Sequence, residues 1–329
     1  MKSIFILNPD LFNRIYPPYL RRKIAEHAVF KDRAFTAEEI LSNPSCLEDI
    51  DVIFSSWGMV PLTQQLLQHA PRMKAVFYAA GSIRYFTTDA FWDRKIKVAS
   101  AYTVNGEWVA KFTLAQILLA LKNYWHACQE YQQRKSWFKR DNCPGMYNSK
   151  IGIISLGAIG RQVVEYLKPF DLDIYAYDPF WTQEKADEIG VTLLPLEEIF
   201  SICDVVSLHT PWLPETVGMI TGEHIQLMKP NTTFINTARG AVVREEEMIA
   251  TLVERPDITA LLDVTYPEPP AADSTLWSLP NVVLSPHIAG SISGEVEKMG
   301  ALMVDEFIRW INDQPLQHEI SQEKAGILA

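Results

Sequence analysis

Short apolar runs recur along the chain, each closed by turn residues and followed by a stretch with helical spacing. This alternation is the pattern of parallel βα units. A first group, SIFIL (3–7), DVIFSS (51–56), AVFYAA (75–80) and KVAS (97–100), predicts strands in the first third of the chain. A second group predicts another sheet: IGIISL (151–156), DIYAYD (173–178), DVVSLH (204–209), TFINT (233–237), ITALLDV (258–264) and VVLSPH (282–287). Each run is dense in Val, Ile and aromatic residues, as expected of strands covered on both faces. Between the groups, residues 105–125 carry Val109, Phe112, Ile117 and Ala120 at helical spacing and predict a long buried connecting helix. The polar stretch 132–150, broken at Pro144 and Gly145, reads as a surface crossing. A last helix, from about Ser293 to Asn312, is expected to return to the first group of strands. The fold class is therefore α/β, with two doubly wound, Rossmann-like domains.

Composition narrows the function. At 329 residues and 48% hydrophobic, the chain can bury two cores of ordinary size. A formal charge of -10 excludes a broad basic face for nucleic acid or for anionic membrane. The apolar run near the N-terminus stops at Asn8 and Pro9, too short for a signal peptide, and no stretch has transmembrane length, so a cytoplasmic protein is expected. Four cysteines stand far apart, without a C-x-x-C pair or a histidine at zinc-ligand spacing. Reduced thiols and no metal site are the expectation.

The stretch KIGIISLGAIGRQVVEYL (150–167) carries the first chemical signal. A strand, a tight turn of Gly157, Ala158, Ile159 and Gly160, and a helix would aim backbone N-H groups and the positive end of the helix dipole at a pyrophosphate. Ser155 stands where G-x-G-x-x-G places its first glycine, a position that mainly shapes the turn; a serine is expected to serve there with a negative φ. About twenty residues on, Asp178 ends the next strand and is placed to accept the ribose hydroxyls. Pro179, Phe180, Trp181 and Thr182 follow it without an Arg or Lys for a 2′-phosphate, which favours NAD (NADH) over NADP.

Several further motifs follow in order: VSLHTPWLPETVGMI, MKPNTTFINTARGAVV, LLDVTYPEPP and LSPHIAG. Together with LGAIGR and YDP, they make residues 51–309 resemble the D-isomer-specific 2-hydroxyacid dehydrogenases, the family of phosphoglycerate, glyoxylate/hydroxypyruvate and D-lactate dehydrogenases. The resemblance implies an NAD-binding Rossmann domain (105–292) inserted into a flavodoxin-like substrate domain (1–104 plus 293–329). It implies hydride transfer between a D-2-hydroxy acid and its 2-keto acid, a small-molecule substrate, and a homodimer paired through the cofactor domain. By the same resemblance Arg239 binds the substrate carboxylate, His287 is the general acid/base and Glu268 supports it. Those residue types suit the tasks: guanidinium is planar and permanently charged, and imidazole titrates near neutral pH. The resemblance also places the cofactor beside His209, Thr210, Pro211, Thr237, Ala238, Asp263 and Gly290, in addition to Arg239 and His287. Asp263 would contact the nicotinamide carboxamide, or else act as a strand-end turn former. The nine tryptophans read as core and interface anchors.

The substrate side departs from the family. Where the family carries G-x-G-x-D, this chain has AAGSIRYF, with Gly81, Ser82, Ile83 and Arg84 as the candidate substrate loop. A cation at Arg84 could read a second anionic group, or form a surface salt bridge. Ser55 and Ser56 stand where phosphoglycerate dehydrogenases carry an arginine, and Lys111 where the family usually has Glu. A different chemistry on the scaffold, like that of formate dehydrogenases, would replace Glu268 with glutamine. A third reading keeps the fold but not the turnover: an NAD(H)-sensing binding protein like the C-terminal-binding corepressors.

Overall fold

The computed structural model describes residues 1–137 and 143–327. The surface crossing expected at 132–150 lies partly outside those residues. Contacts divide the chain into two units, Met1–Gly106 with Ser291–Ala329, and Glu107–Gly290.

In the first unit five parallel strands, β1 (Ser3–Ile6), β2 (Ala34–Phe35), β3 (Val52–Ser55), β4 (Ala75–Tyr78) and β5 (Lys97–Ser100), lie in the order β2-β1-β3-β4-β5. This is the flavodoxin-like order. Register aligns Phe5 with Phe54 and Phe54 with Phe77. The three rings stack at 5.4 and 5.7 Å, and Phe307 meets the last two edge-on at 5.1 and 5.7 Å. Phe307 belongs to the returning helix, Glu295–Ile311, which covers this face of the sheet. Gly300 lets that helix approach, because an added Cβ would lie 1.8 Å from the Ile15 carbonyl oxygen.

The second unit holds β6 (Ser149–Ile154), β7 (Leu172–Tyr177), β8 (Thr192–Leu193), β9 (Val205–Leu208), β10 (Thr233–Asn236), β11 (Thr259–Leu262) and β12 (Val282–Leu284). Their order is β12-β11-β10-β9-β6-β7-β8, all parallel. The order in which successive strands are added reverses between β6 and β9, and at such a switch point open α/β sheets bind ligands. The ten strands expected from the apolar runs are present. The two-residue edge strands β2 and β8 are not foreshadowed, being too short to show a period.

The connecting helix differs from its expectation. It runs Tyr102–Ala120 and stops where Asn123 takes φ +48°, and a second helix, Tyr124–Arg134, buries none of its residues. One stripe of the first helix is buried, at Val109, Ala110, Thr113, Ile117 and Ala120, while Lys111, Ala115 and Leu119 face solvent. Lys111 pairs with Glu107 one turn away and lies over the Trp108 ring. Of the nine tryptophans, Trp92, Trp125, Trp181 and Trp310 pack partly buried against the cores, none is fully buried, and Trp137 is 80% exposed. Phenylalanine fills most of the fully buried aromatic positions, since it brings no ring N-H that needs a partner. Among the described residues no helix is long and apolar enough to cross a membrane, and no group of His, Cys, Asp or Glu side chains could hold a metal ion.

Candidate active site

The turn after β6 is built as a nucleotide cradle. The helix Ala158–Leu167 starts on Gly157, where an added Cβ would meet nothing within 4 Å, so the approach to its N-terminus is open. Gly160 is required for packing: a Cβ there would lie 2.1 Å from the Ser155 carbonyl oxygen. Asp178 follows β7 directly and accepts from the Leu156 amide at 2.8 Å and the Phe180 amide at 2.9 Å, each carboxylate oxygen keeping acceptor capacity. This open cradle, backed by a helix and flanked by an aspartate, fits a dinucleotide.

Ser155 corrects the expectation of a negative φ. Its φ is +77°, in the left-handed region that favours glycine. The turn keeps the backbone shape that the missing glycine would have given, and the serine adopts it while its amide donates to the Tyr177 carbonyl at 2.8 Å. Its hydroxyl lies 2.8 Å from Thr210 Oγ1 across the switch point.

The loop after β9 carries His209, Thr210 and Pro211. The His209 amide donates to the Ile154 carbonyl at 2.9 Å, which ties this loop to β6. Its ring is buried; Nε2 lies 3.0 Å from Ser207 Oγ, and Nδ1 has no partner among the described residues. Burial pushes its pKa down to about 3, so the ring is neutral at working pH. Thr216 Oγ1 donates to the Pro211 carbonyl at 2.6 Å and steadies the loop.

The three candidate catalytic side chains follow β10, β11 and β12 in the same unit. At the end of β10, Asn236 Oδ1 accepts from the Ala238 amide at 3.0 Å and its Nδ2 donates to the Arg239 carbonyl at 3.2 Å, which fixes the backbone that carries Arg239. Thr237 is anchored by Thr113, hydroxyl to hydroxyl, at 3.0 Å. Arg239 Nη1 donates to the Ala238 carbonyl at 2.7 Å. Burial lowers the Arg239 pKa and the negative charge of Glu268 opposes that shift. Gly240 allows the β10 loop to close on the β11 loop, since a Cβ would lie 2.0 Å from the Thr265 carbonyl carbon.

His287 Nδ1 lies 2.6 Å from Glu268 Oε1. His287 has φ +53°, a conformation uncommon for a side-chain-bearing residue. Asp263 holds it there. Its carboxylate accepts from the Ser285 hydroxyl, from the Ile288 amide at 2.9 Å and from the Ala289 amide at 2.9 Å, while its carbonyl accepts from the His287 amide at 3.0 Å. In the structure Asp263 is thus the organiser of the 285–289 loop. Glu245 performs a parallel task, accepting from the Tyr266 amide at 3.0 Å just ahead of Glu268. Trp212 and Tyr266, both exposed, meet edge-on at 5.5 Å beside it.

The positioning roles of Asn236, Thr113 and Glu245 were missed in the sequence. Asn236 could have been found, because an Asn two residues before the turn it caps is an Asx signature. Thr113 and Glu245 act over long sequence separations that no local pattern shows.

The candidate substrate loop lies in the other unit. Ile83 is buried, and its carbonyl accepts from the Phe86 amide at 3.3 Å, the Thr87 amide at 3.1 Å and the Thr87 hydroxyl at 3.1 Å. Gly81 and Ser82 are half-buried and Arg84 is exposed. Ser55 and Ser56 are fully buried, with their hydroxyls donating to the carbonyls of Ile6 and Ala79.

Residues 114–289 match the family model described as D-isomer specific 2-hydroxyacid dehydrogenase, NAD binding domain. The D-3-phosphoglycerate dehydrogenase of Methanocaldococcus jannaschii is 31% identical over 300 residues, 89% of this chain and 56% of that protein. Among solved structures, D-2-hydroxyisocaproate dehydrogenase has the same fold with a TM-score of 0.79, at 21% identity, over 98% of this chain and 100% of that one. The Aquifex aeolicus D-lactate dehydrogenase complexed with NAD and lactic acid gives 0.73, at 24% identity, over 94% and 96%. The chain spans about half the length of the phosphoglycerate dehydrogenases it matches. It belongs to the D-isomer-specific 2-hydroxyacid dehydrogenase family and contains that family's NAD-binding domain.

Proposed function

We propose that this protein is an NAD-dependent oxidoreductase that interconverts a D-2-hydroxy acid and its 2-keto acid. The observation that carries this reading is the 2.6 Å contact between His287 Nδ1 and Glu268 Oε1 in a chain with the family's NAD-binding domain. Bound NADH supplies the hydride. With Nδ1 engaged by Glu268, the imidazole is oriented and Nε2 is the atom that can give a proton to the substrate carbonyl oxygen. Arg239 binds the substrate carboxylate and polarises the carbonyl, a task suited to a partly desolvated guanidinium. Asp263 keeps His287 at its positive φ so that the ring cannot drift from this geometry.

Cofactor choice falls on NAD over NADP, because Asp178 would repel a 2′-phosphate and residues 179–182 supply no cation against it. The substrate reader is assigned to Gly81, Ser82, Ile83 and Arg84, and the other cofactor contacts to Gly157, Ala158, Ile159, Gly160, Thr210, Pro211, Thr237, Ala238 and Gly290. The proposal places the protein in the cytoplasm as a homodimer. The helix Tyr124–Arg134, which buries none of its residues fully and exposes Tyr124 and Tyr131, favours a partner for the NAD-binding unit.

The test is NADH oxidation over glyoxylate, hydroxypyruvate, pyruvate, phenylpyruvate, 2-ketoglutarate and phosphohydroxypyruvate, repeated with NADPH and with His287→Gln. A substrate turned over by the wild type and not by the variant is the expected result. NADH binding without turnover of any of them would move the protein to the NAD(H)-sensing class.

A further inference from the structure

Resting on the NAD-dependent reading, we propose that the Ser155 and Thr210 hydroxyls act as one donor unit that recognises the diphosphate of the dinucleotide. Three observations lead there. Ser155 occupies φ +77°, where glycine would sit without steric cost, so this chain carries a hydroxyl there against the backbone's preference. Its hydroxyl lies 2.8 Å from Thr210 Oγ1, and Thr210 is almost fully buried. The pair straddles the gap between the ends of β6 and β9, the switch point of the sheet.

Proton counting gives the pair its function. Two hydroxyls carry two protons between them, and each oxygen can also accept. One proton closes the Ser155–Thr210 hydrogen bond. Among the described residues neither hydroxyl has a second partner, so the other proton is available to an acceptor from outside the protein. That donor stands beside the start of the helix Ala158–Leu167, where N-H groups and the helix dipole favour an anion, and next to the open approach at Gly157. Both partners are held in advance: the Ser155 amide by the Tyr177 carbonyl at 2.8 Å, and the β9 loop by His209 N to Ile154 O at 2.9 Å. A hydroxyl preset this way donates to a charged phosphate oxygen as a strong, charge-assisted bond.

Calorimetric titration of NADH and of ADP-ribose into the wild type, Ser155→Ala, Ser155→Gly, Thr210→Val and the Ala/Val double variant tests this, with a thermal melt of each. Each single variant should bind both ligands about tenfold more weakly, and the double variant no worse than either, because the two hydroxyls work as a unit. Ser155→Gly should melt above Ser155→Ala, since glycine fits the turn, while binding just as weakly. Affinity would then follow the hydroxyl and stability the backbone. Ser155→Gly binding NADH as tightly as the wild type overturns the proposal. So does an equal loss for adenosine, which has no phosphate, measured by displacement of NADH. A wild type that binds no NADH overturns the NAD reading itself, and this proposal with it.

Discussion

The two sheets present their carboxyl edges to opposite uses of the same polar chemistry. In the unit Glu107–Gly290, loops after β10, β11 and β12 are held by side chains such as Asn236, Asp263 and Glu245, and these loops carry the candidate catalytic side chains Arg239, Glu268 and His287. In the other unit, hydroxyls at the matching edge turn inward. Ser56 Oγ donates to the Ala79 carbonyl at 2.7 Å and Ser100 Oγ to the Ala80 carbonyl at 2.9 Å, and the Tyr78 and Tyr85 hydroxyls meet each other at 3.1 Å. Parallel topology brings loops to one edge in both sheets, but it does not decide what they do there. That depends on whether a polar group is consumed by the backbone or presented by it. The expected division is that the NAD-binding unit governs the rate and the other unit governs which acid is accepted.

The largest test of that division is His287→Gln. It should lower kcat/KM by about 10³ for every accepted 2-keto acid, the scale of a lost general acid. Glu268→Gln keeps the ring and loses its charged anchor, and a fall of about tenfold to a hundredfold is expected, again uniform across substrates. A substrate-dependent loss in either steady-state series would break the comparison.

Acid sharpens the contrast on the scale of stability. His209 has its folded pKa pushed down to about 3 by burial, below the ordinary value of 6.5. The unfolded chain therefore takes up this proton first as pH falls through about 6.5, and stability is lost progressively from there towards pH 3. At ~1.4 kcal/mol per pH unit, this one ring removes about 2 kcal/mol by pH 5. In the other unit burial pushes the Asp51 carboxyl up, but the Lys2 amide and the Arg72 guanidinium outweigh it and hold the pKa below the usual 3.8. Its contribution is full above about 3.8 and is lost only below that. Hydrogen exchange read by region between pH 7 and 4.5 should show protection falling first in 107–290, and His209→Asn should flatten that fall.

Much of this was legible in the sequence because buried parallel strands announce themselves as apolar runs and the site motifs lie just beyond their ends. The GAIG turn, Asp178 and the TARG, PEPP and SPH segments all sit there. What stayed hidden depends on distance or on backbone shape. Nothing local in Ser155 says that its φ is +77°, since the demand comes from the turn and from Gly160 packing under its carbonyl. Nor does Asp263 say that it will hold a loop more than twenty residues away. Ser55 and Ser56 read only as a departure from the arginine of phosphoglycerate dehydrogenases, and nothing local says that the register of β1, β3 and β4 puts carbonyls within reach of their hydroxyls.

Gly240→Ala probes how tightly the site loops interlock. A Cβ 2.0 Å from the Thr265 carbonyl carbon meets backbone rather than a side chain that could turn away, so the β10 and β11 loops must separate. A loss of about 1–3 kcal/mol is expected, read as a lower melting temperature, with kcat falling as Arg239 shifts. Equal stability would show that the two loops are not closed on each other.

The smallest effect, and the one that bears most directly on the division, is Arg84→Ala. Arg84 is exposed, so any ion pair it makes at the surface adds little stability, and the melting temperature should stay within about a degree or two of the wild type. If Arg84 reads a second anionic group, KM should rise up to about tenfold for 2-ketoglutarate or phosphohydroxypyruvate while kcat is unchanged. Glyoxylate and pyruvate, which carry one carboxylate, should be unaffected. The buried serines strengthen this expectation, because Ser55 and Ser56 already give their hydroxyl protons to the backbone and cannot donate them to a phosphate. A fall in kcat shared by all substrates would place Arg84 with the rate-setting residues and dissolve the division between the two edges.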